Sequence, residues 1–322
     1  MEKVAKEPHL TGSHTKLTCS VVVCTRDRPE ALDECLAAIS AGTRSATEVI
    51  VIDSAPMHTS AEQVAARWGA RYLREPLPGI SRARNRAARE SDSDILAFID
   101  DDTIPEPGWL EPLMAEFVDP MVVVAAGRIL PPEGKMDLLP VYAWWGMIDL
   151  GPQRRVFDRS TPDWYELTNF GGVGIGANIA LRRAVFRNWK GFDQRLGVGT
   201  LIEGGEELKA FFELVDLGYR LVYAPRSVVR HTFPRSQEQI CQRALRLIEA
   251  SAAYLVLSLC ERPAYRKETW GYIKRKLKRV KQIYSFSSVK QALIPGHLVL
   301  AARLKGVCLY FAACLLDKVR QV

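Results

Sequence analysis

The chain has 322 residues, 48% hydrophobic and 25% charged, with a formal net charge of +7. A length of this order carries one large α/β domain or two modest ones at roughly 100–200 residues each, and the composition argues against a disordered or fibrous protein. The charge is local: Arg262 to Lys281 holds nine Lys or Arg against the single acid Glu268, a net of +8, so the other residues sum to −1 and a general affinity for nucleic acid is disfavoured.

Met1 to Lys16 is polar and lacks the apolar core of a signal peptide, so residues 1–16 are expected to form a disordered leader. From Leu17 the pattern alternates strand and helix. Thr18–Cys24 reads as an apolar strand, and Pro29–Ser40 as a helix with proline in its first turn. Glu48–Ile52 is a second strand ending at Asp53. Ser60–Trp68 is a helix, Tyr72–Leu73 a short strand, and Ser81–Glu90 a basic helix introduced by Pro78-Gly79. Gly108–Phe117 is helical, and Met121–Ile129 is a strand closed by Pro131-Pro132. Alternation at these lengths implies right-handed crossovers and a mostly parallel sheet. No G-x-G-x-x-G follows the first strand, which argues against a dinucleotide-binding dehydrogenase.

Between the basic helix and Gly108 lies the most informative stretch. The apolar run Ile95–Ile99 drives straight into Asp100, Asp101 and Asp102. Such a run reads as a buried strand, and its acids stand at the carboxyl end, where open α/β sheets bind ligands. Three clustered carboxylates repel one another unless a cation neutralises them. Mg²⁺ or Mn²⁺ takes oxygen ligands and bridges protein carboxylates to substrate phosphates. A solvated acidic turn before Pro105 is the alternative.

Pro131 to Phe170 is rich in Pro, Trp and Tyr without a clean period. Trp144, Trp145, Trp164 and Tyr165 either form a platform for a sugar ring or cap the core. Gly171-Gly-Val-Gly-Ile-Gly176 leads into a strand, Ala177–Leu181, and a helix, Arg183–Trp189. A helix from Glu206 to Leu217, the strand Arg220–Ala224 and then Val228–His231 follow. Beyond Pro234 everything reads as helix: Glu238–Leu259, the basic Tyr265–Lys281, and the apolar Leu298–Leu316, interrupted by Arg303 and Lys305. No window offers about 20 uninterrupted apolar residues, so the tail reads as a basic amphipathic surface binder of anionic membrane or as a core-packing helix with a solvated face. Seven cysteines without a C-x-x-C pair suggest reduced, buried thiols in a cytosolic protein.

The spacing resembles family 2 glycosyltransferases. The nucleotide half is carried by Ser20-Val-Val-Val-Cys-Thr-Arg-Asp-Arg-Pro29, Val49-Ile-Val-Ile-Asp53, Gly79-Ile-Ser-Arg-Ala-Arg-Asn-Arg86 and Ala97-Phe-Ile-Asp-Asp-Asp102. The acceptor half is carried by Gly176-Ala-Asn-Ile-Ala180, Gly191-Phe-Asp193, Gly204-Gly-Glu-Glu207 and Gly218-Tyr-Arg-Leu-Val-Tyr-Ala-Pro225. The resemblance runs from about Thr18 to His231. It implies an α/β GT-A fold, a Rossmann-like central mixed sheet flanked by helices, with a helical C-terminal extension. The boundaries expected are 17–233 for the GT-A domain (nucleotide half about 17–130, acceptor half about 131–233) and 234–322 for the extension.

The resemblance also implies roles. Thr25, Arg28, Asp53, Arg82, Asn85, Asp100 and Asp101 line the nucleotide site, with Asp53 accepting from the base. Asp100 and Asp102 form the acidic pair that holds Mg²⁺ or Mn²⁺, joined by His231. Gly176 and Asn178 fall on the acceptor side, and Trp144 and Trp145 join them as acceptor-binding residues if the aromatic segment is a sugar platform rather than a core cap. Glu206 or Glu207 is the general base, Glu207 preferred, although the family usually carries Glu-Asp there. The reaction implied is inverting single displacement from a nucleotide-diphosphate sugar, UDP favoured, onto a hydroxyl of a glycan or lipid-linked glycan in polysaccharide biosynthesis, in the cytoplasm or peripherally on the inner membrane face. A sugar-nucleotide binding protein or a nucleotidyltransferase is the alternative. The latter would want a glycine-rich loop beside the first strand, and Thr25-Arg-Asp-Arg28 lacks it.

Overall fold

The computed structural model describes residues 17–43, 45–135, 149–231, 236–285 and 294–320. The expected leader and the Trp144-Trp145 pair lie outside these residues. The described chain forms two compact units. The first holds residues up to Gln194 and from Glu206 to His231; the second holds Arg195–Gly205 and the helices from residue 236 onward.

The first unit is built on one nine-stranded sheet. In chain order its elements are β1 (Cys19–Thr25), α1 (Pro29–Ser40), β2 (Glu48–Ser54), α2 (Ser60–Arg67), β3 (Arg71–Glu75), α3 (Ile80–Glu90), β4 (Ile95–Asp100), β5 (Thr103–Pro105), α4 (Leu110–Glu116) and β6 (Val122–Leu130). There follow β7 (Arg155–Phe157), α5 (Trp164–Asn169), β8 (Asn178–Arg182), α6 (Glu206–Asp216) and β9 (Arg220–His231). The strand order is β3-β2-β1-β4-β8-β6-β9-β5, with β7 on the edge of β9.

The sheet is mixed rather than mostly parallel. β3, β2, β1 and β4 run parallel, as βαβ crossovers require, but β8 enters antiparallel between β4 and β6. Successive side chains of a strand point to opposite faces, so each strand divides its apolar residues between two cores. Ile95, Ala97 and Ile99 of β4 pack on one side with Leu32 and Leu113; Leu96 and Phe98 pack on the other with Phe192 and Phe211. With both faces covered, the strands read as unbroken apolar runs.

Three elements are absent from the sequence reading: β5, β7 and α5. Each is short and lacks a period long enough to register. Arg183–Arg187 is a 3₁₀ turn rather than the expected helix. The two segments read around Pro225 are one strand, β9, whose register against β6 slips between Gly127 and Arg128.

The second unit contains α7 (Gln237–Glu261), α8 (Arg266–Ser285) and α9 (Gly296–Arg320). The Ser236 hydroxyl caps α7 by accepting from the Gln239 amide at 3.2 Å. Arg303 and Lys305 do not stop α9: Gly296–Val319 is long and apolar enough to cross a membrane by length and composition alone, and is mostly exposed. All seven cysteines are free, but Cys260 and Cys308 are exposed, contrary to the expectation that all are buried.

Candidate active site

The parallel strands β1, β2 and β4 end in register, so that Thr25 stands beside Asp53 and Cys24 beside Asp100. Their carboxyl ends collect the polar side chains that begin the loops. The chain then turns through Asp101 and Asp102, with the Thr103 hydroxyl donating to the Asp100 carbonyl at 2.7 Å. β5 pairs antiparallel with β9, and Thr103 lies opposite His231. A three-residue strand invisible in the sequence thus carries His231 to the acidic corner.

There Asp100, Asp102 and His231 each offer one ligand atom, all within 4.8 Å of one another. The Asp102 Oδ1 lies 3.3 Å from His231 Nε2. Two carboxylate oxygens and an imidazole nitrogen form a donor set that fits Mn²⁺ or Mg²⁺. The electrostatics fit as well. Burial, opposed by Arg84 and reinforced by Asp102, pushes the Asp100 carboxyl above the ordinary range. A divalent cation would reverse that cost.

Arg28 holds the corner from the other side. Its Nη1 donates to Asp102 Oδ2 at 2.7 Å, and its Nη2 meets Asp101 Oδ1 at 2.5 Å. Asp102 therefore divides its two oxygens between an arginine and the His231 side. Asp101 is fully buried, and burial raises its carboxyl to about 7 despite Arg28 and the Thr25 hydroxyl, which donates to it at 2.6 Å. With both oxygens turned inward, Asp101 fixes Thr25 and Arg28 rather than facing a nucleotide.

Asp53 is also fully buried. Tyr72 donates to its Oδ2 at 3.0 Å, while its Oδ1 has no protein partner. Burial pushes this carboxyl up, an unusual state for an acid at a strand end.

On the far side of Asp100 stands Arg84, buried within α3. It donates from Nη1 to Glu206 Oε1 and from Nη2 to the Gly176 carbonyl, both at 3.1 Å, with Nη2 3.8 Å from Asp100 Oδ1. Phe98 and Phe192 lie against its guanidinium at 5.9 and 5.4 Å. A Cβ on Gly176 would come within 2.4 Å of Nη2, so the glycine makes room for the arginine. Glu206 and Glu207 open α6, where the helix field favours negative charge. Glu206 is spent on Arg84. Glu207 is pushed up to about 8, by burial and then by Glu206, and its Oε2 is sealed from solvent without a hydrogen-bond partner.

Residues 20–189 match the family model for glycosyl transferase family 2, more than half of the chain. The chain belongs to this family. Family 2 relatives include the pre-mycofactocin glycosyltransferase of Mycobacterium tuberculosis, 31% identical over 57% of this chain and 37% of the relative. The chain thus spans little more than a third of that protein's length. Another is the glucosyl-dolichyl phosphate glucuronosyltransferase of Haloferax volcanii, 28% identical over 66% of this chain and 68% of the relative. The mannosyltransferase PcManGT of Pyrobaculum calidifontis, solved with GDP-Man and Mn²⁺, shares the fold at a TM-score of 0.57 and 15% identity, covering 94% of this chain and 87% of its own. The GT-A reading of the mixed sheet and its helical C-terminal region agrees with these likenesses.

Several residues assigned from sequence turn inward. Both polar atoms of the Asn85 amide are committed to the Phe192 backbone: Nδ2 donates to its carbonyl and Oδ1 accepts from its amide, each at 2.8 Å. Asn178 is fully buried, and its Nδ2 donates to the carbonyls of Arg128 and Ser227 at 3.2 and 3.1 Å. The Asn178 Oδ1 faces the Ser227 hydroxyl at 3.5 Å, so both amides are engaged chiefly by backbone and by neighbours on β9 and at Phe192. Arg82 is half-buried in the first turn of α3. Trp164 stacks on Phe212 with centroids 5.9 Å apart, and Tyr165 meets the same ring edge-on, so this pair caps the core. The sequence reading assigns Arg82 from this helix and gives Arg84 no role. Its signal is positional: it alone carries charge on the buried face of α3, beside Ala83 and Ala87.

Proposed function

We propose that this chain transfers a glycosyl group from a nucleotide-diphosphate sugar to a hydroxyl of a glycan or lipid-linked glycan, by single displacement with inversion. The observation that carries the reading is the Asp100–Asp102–His231 donor set at the end of β4, in the strand-end row that also holds Asp53 and Thr25. Asp100, Asp102 and His231 would hold a divalent cation, which would there offset negative charge developing on the leaving diphosphate. Mn²⁺ accompanies GDP-Man in the Pyrobaculum enzyme, which supports the pairing of cation and nucleotide.

The remaining steps fall to side chains. Asp53 Oδ1, the orphaned acceptor, takes an N–H from the base; uracil is favoured and guanine is the competitor. Arg28 holds Asp102 in place, leaving Oδ1 for the cation side. The acceptor oxygen attacks the anomeric carbon as the bond to the diphosphate breaks. The electron pair leaves with the nucleotide, and the hydroxyl proton passes to Glu207. Glu207 is preferred over Glu206 because Glu206 is held by Arg84. With Glu207 as the one base and direct attack by the acceptor oxygen, the anomeric configuration inverts. The acceptor class follows the Haloferax relative, whose name carries a dolichyl-linked sugar.

Thermal unfolding with a panel of UDP-, GDP- and dTDP-sugars, with and without Mn²⁺, tests this reading. One donor class should raise Tm in the presence of Mn²⁺, since a selective ligand shifts unfolding by mass action. A stabilising donor that never yields an inverted product with any glycan or lipid-linked acceptor would reduce the protein to a sugar-nucleotide binder.

A further inference from the structure

The second unit carries an apolar face that the first-described chemistry does not use. On α9 the side turned to α7 is made of small residues and a tyrosine: Ala302, Gly306, Tyr310 and Ala313 are buried. Gly306 lies so close to α7 that a Cβ there would stand 2.2 Å from the Glu249 carbonyl. The large apolar residues point the other way. Leu300, Leu304, Val307, Phe311, Leu315 and Val319 are 37–71% exposed. They recur every three or four residues, so they line one stripe of the helix. A helix that buries its small side and exposes its large side to water is inverted for a soluble protein.

A second feature of the same unit names the covering partner. α8 exposes Trp270 to 51% between Lys267 and Lys274, one helical turn to either side. A tryptophan flanked by lysines is the side-chain pairing of the membrane–water interface. The net +8 of residues 262–281 complements an anionic surface. The geometry points to an anionic phospholipid bilayer as the partner of this unit, with the α9 stripe entering the acyl boundary and the basic α8 held among the headgroups.

α9 lies in the bilayer plane rather than across it. Its packing partner α7 carries Glu238, Gln242, Arg246 and Glu249, and Lys305 of α9 pairs with Glu249 at 2.9 Å. Threading α9 through the hydrocarbon would take this ion pair with it, a costly burial.

Sedimentation of the full chain with phosphatidylcholine–phosphatidylglycerol vesicles, against phosphatidylcholine alone, tests the assignment. The wild type should partition at least about tenfold better to the anionic vesicles, lose that advantage in high salt, and be released by alkaline carbonate. Leu304→Gln/Phe311→Gln and Lys267→Glu/Lys274→Glu should each abolish pelleting while keeping the wild-type Tm and donor binding, because the four residues are exposed. Wild-type pelleting by both variants, or equal partitioning to neutral vesicles, would overturn it. So would a vesicle-free dimer that Leu304→Gln/Phe311→Gln converts to monomer, since the stripe would then join two copies, or resistance to carbonate, since α9 would then span.

Discussion

At the scale of single residues, the two adjacent glutamates of α6 have been driven apart by one arginine. Arg84 neutralises Glu206, and a guanidinium shared by Glu206 and Asp100 ties the start of α6 to the acidic corner. Glu207 also feels Arg84, but burial and then the neighbouring Glu206 outweigh it and hold this carboxyl up at about 8. A base of that strength is ionised only at mildly alkaline pH in the free protein, so kcat/KM should climb as pH rises towards 8 and level above it. Glu207→Gln should keep donor binding, lower turnover by about 10²–10⁴, and remove that rising limb. The same group sets a stability signature. Its folded value stands above the ordinary 4.5, so the folded state binds the proton more tightly, and stability is lost as pH rises from 4.5 through 8. The permanently neutral glutamine should therefore melt a few degrees above wild type at pH 9 and no higher at pH 4.5. Wild-type turnover in this variant would move the base elsewhere.

Among elements, β9 decides where the late histidine goes. Its register slip against β6 leaves Pro225–Ser227 outside the ladder and redirects Val228–His231 towards β5. The slip is pinned by Asn178, whose amide spans the Arg128 and Ser227 carbonyls. Gly127 lies against this knot: a Cβ there would meet Asn178 Nδ2 at 2.1 Å and the Ser227 carbonyl at 2.7 Å. Gly127→Ala should cost about 1–3 kcal/mol, the usual penalty of overpacking, and lower Tm by roughly 2–10 °C. Gly108→Ala, with nothing nearer than 4.0 Å, should leave Tm unchanged and serves as the control. Equal melting of the two variants would mean that the knot yields freely.

The long strands were readable as unbroken apolar runs, and the Pro29–Ser40 helix by a period extending over many residues. The three-residue strands β5 and β7 were not, because their pairing is decided by neighbours distant in sequence. Asn178 and Asn85 show the same limit at the site. Sequence places them beside candidate site residues, yet whether an amide faces a ligand or a backbone depends on which carbonyls tertiary packing brings within hydrogen-bond reach. Arg84 is the converse case, a buried charge legible only once its helix face is known.

For the molecule as a whole, one sheet with three strand ends in register gathers Thr25, Asp53 and Asp100, and β5 brings His231 to them. The acids Asp100, Asp101 and Asp102 were legible because three carboxylates after an apolar run are electrostatically unstable without counter-charge. The counter-charges, Arg28 and Arg84, were legible only in part, since they come from the loop after β1 and from α3. The central claim is that this corner completes its charge balance with a divalent cation and a nucleotide diphosphate together. Isothermal titration of the nucleoside diphosphate of the preferred donor into wild type and Asp102→Asn, each with Mn²⁺ and with chelator, measures this directly. Wild type should bind tightly only with Mn²⁺, and Asp102→Asn should bind weakly and identically in both conditions; equal affinity with and without Mn²⁺ in the wild type would contradict the account.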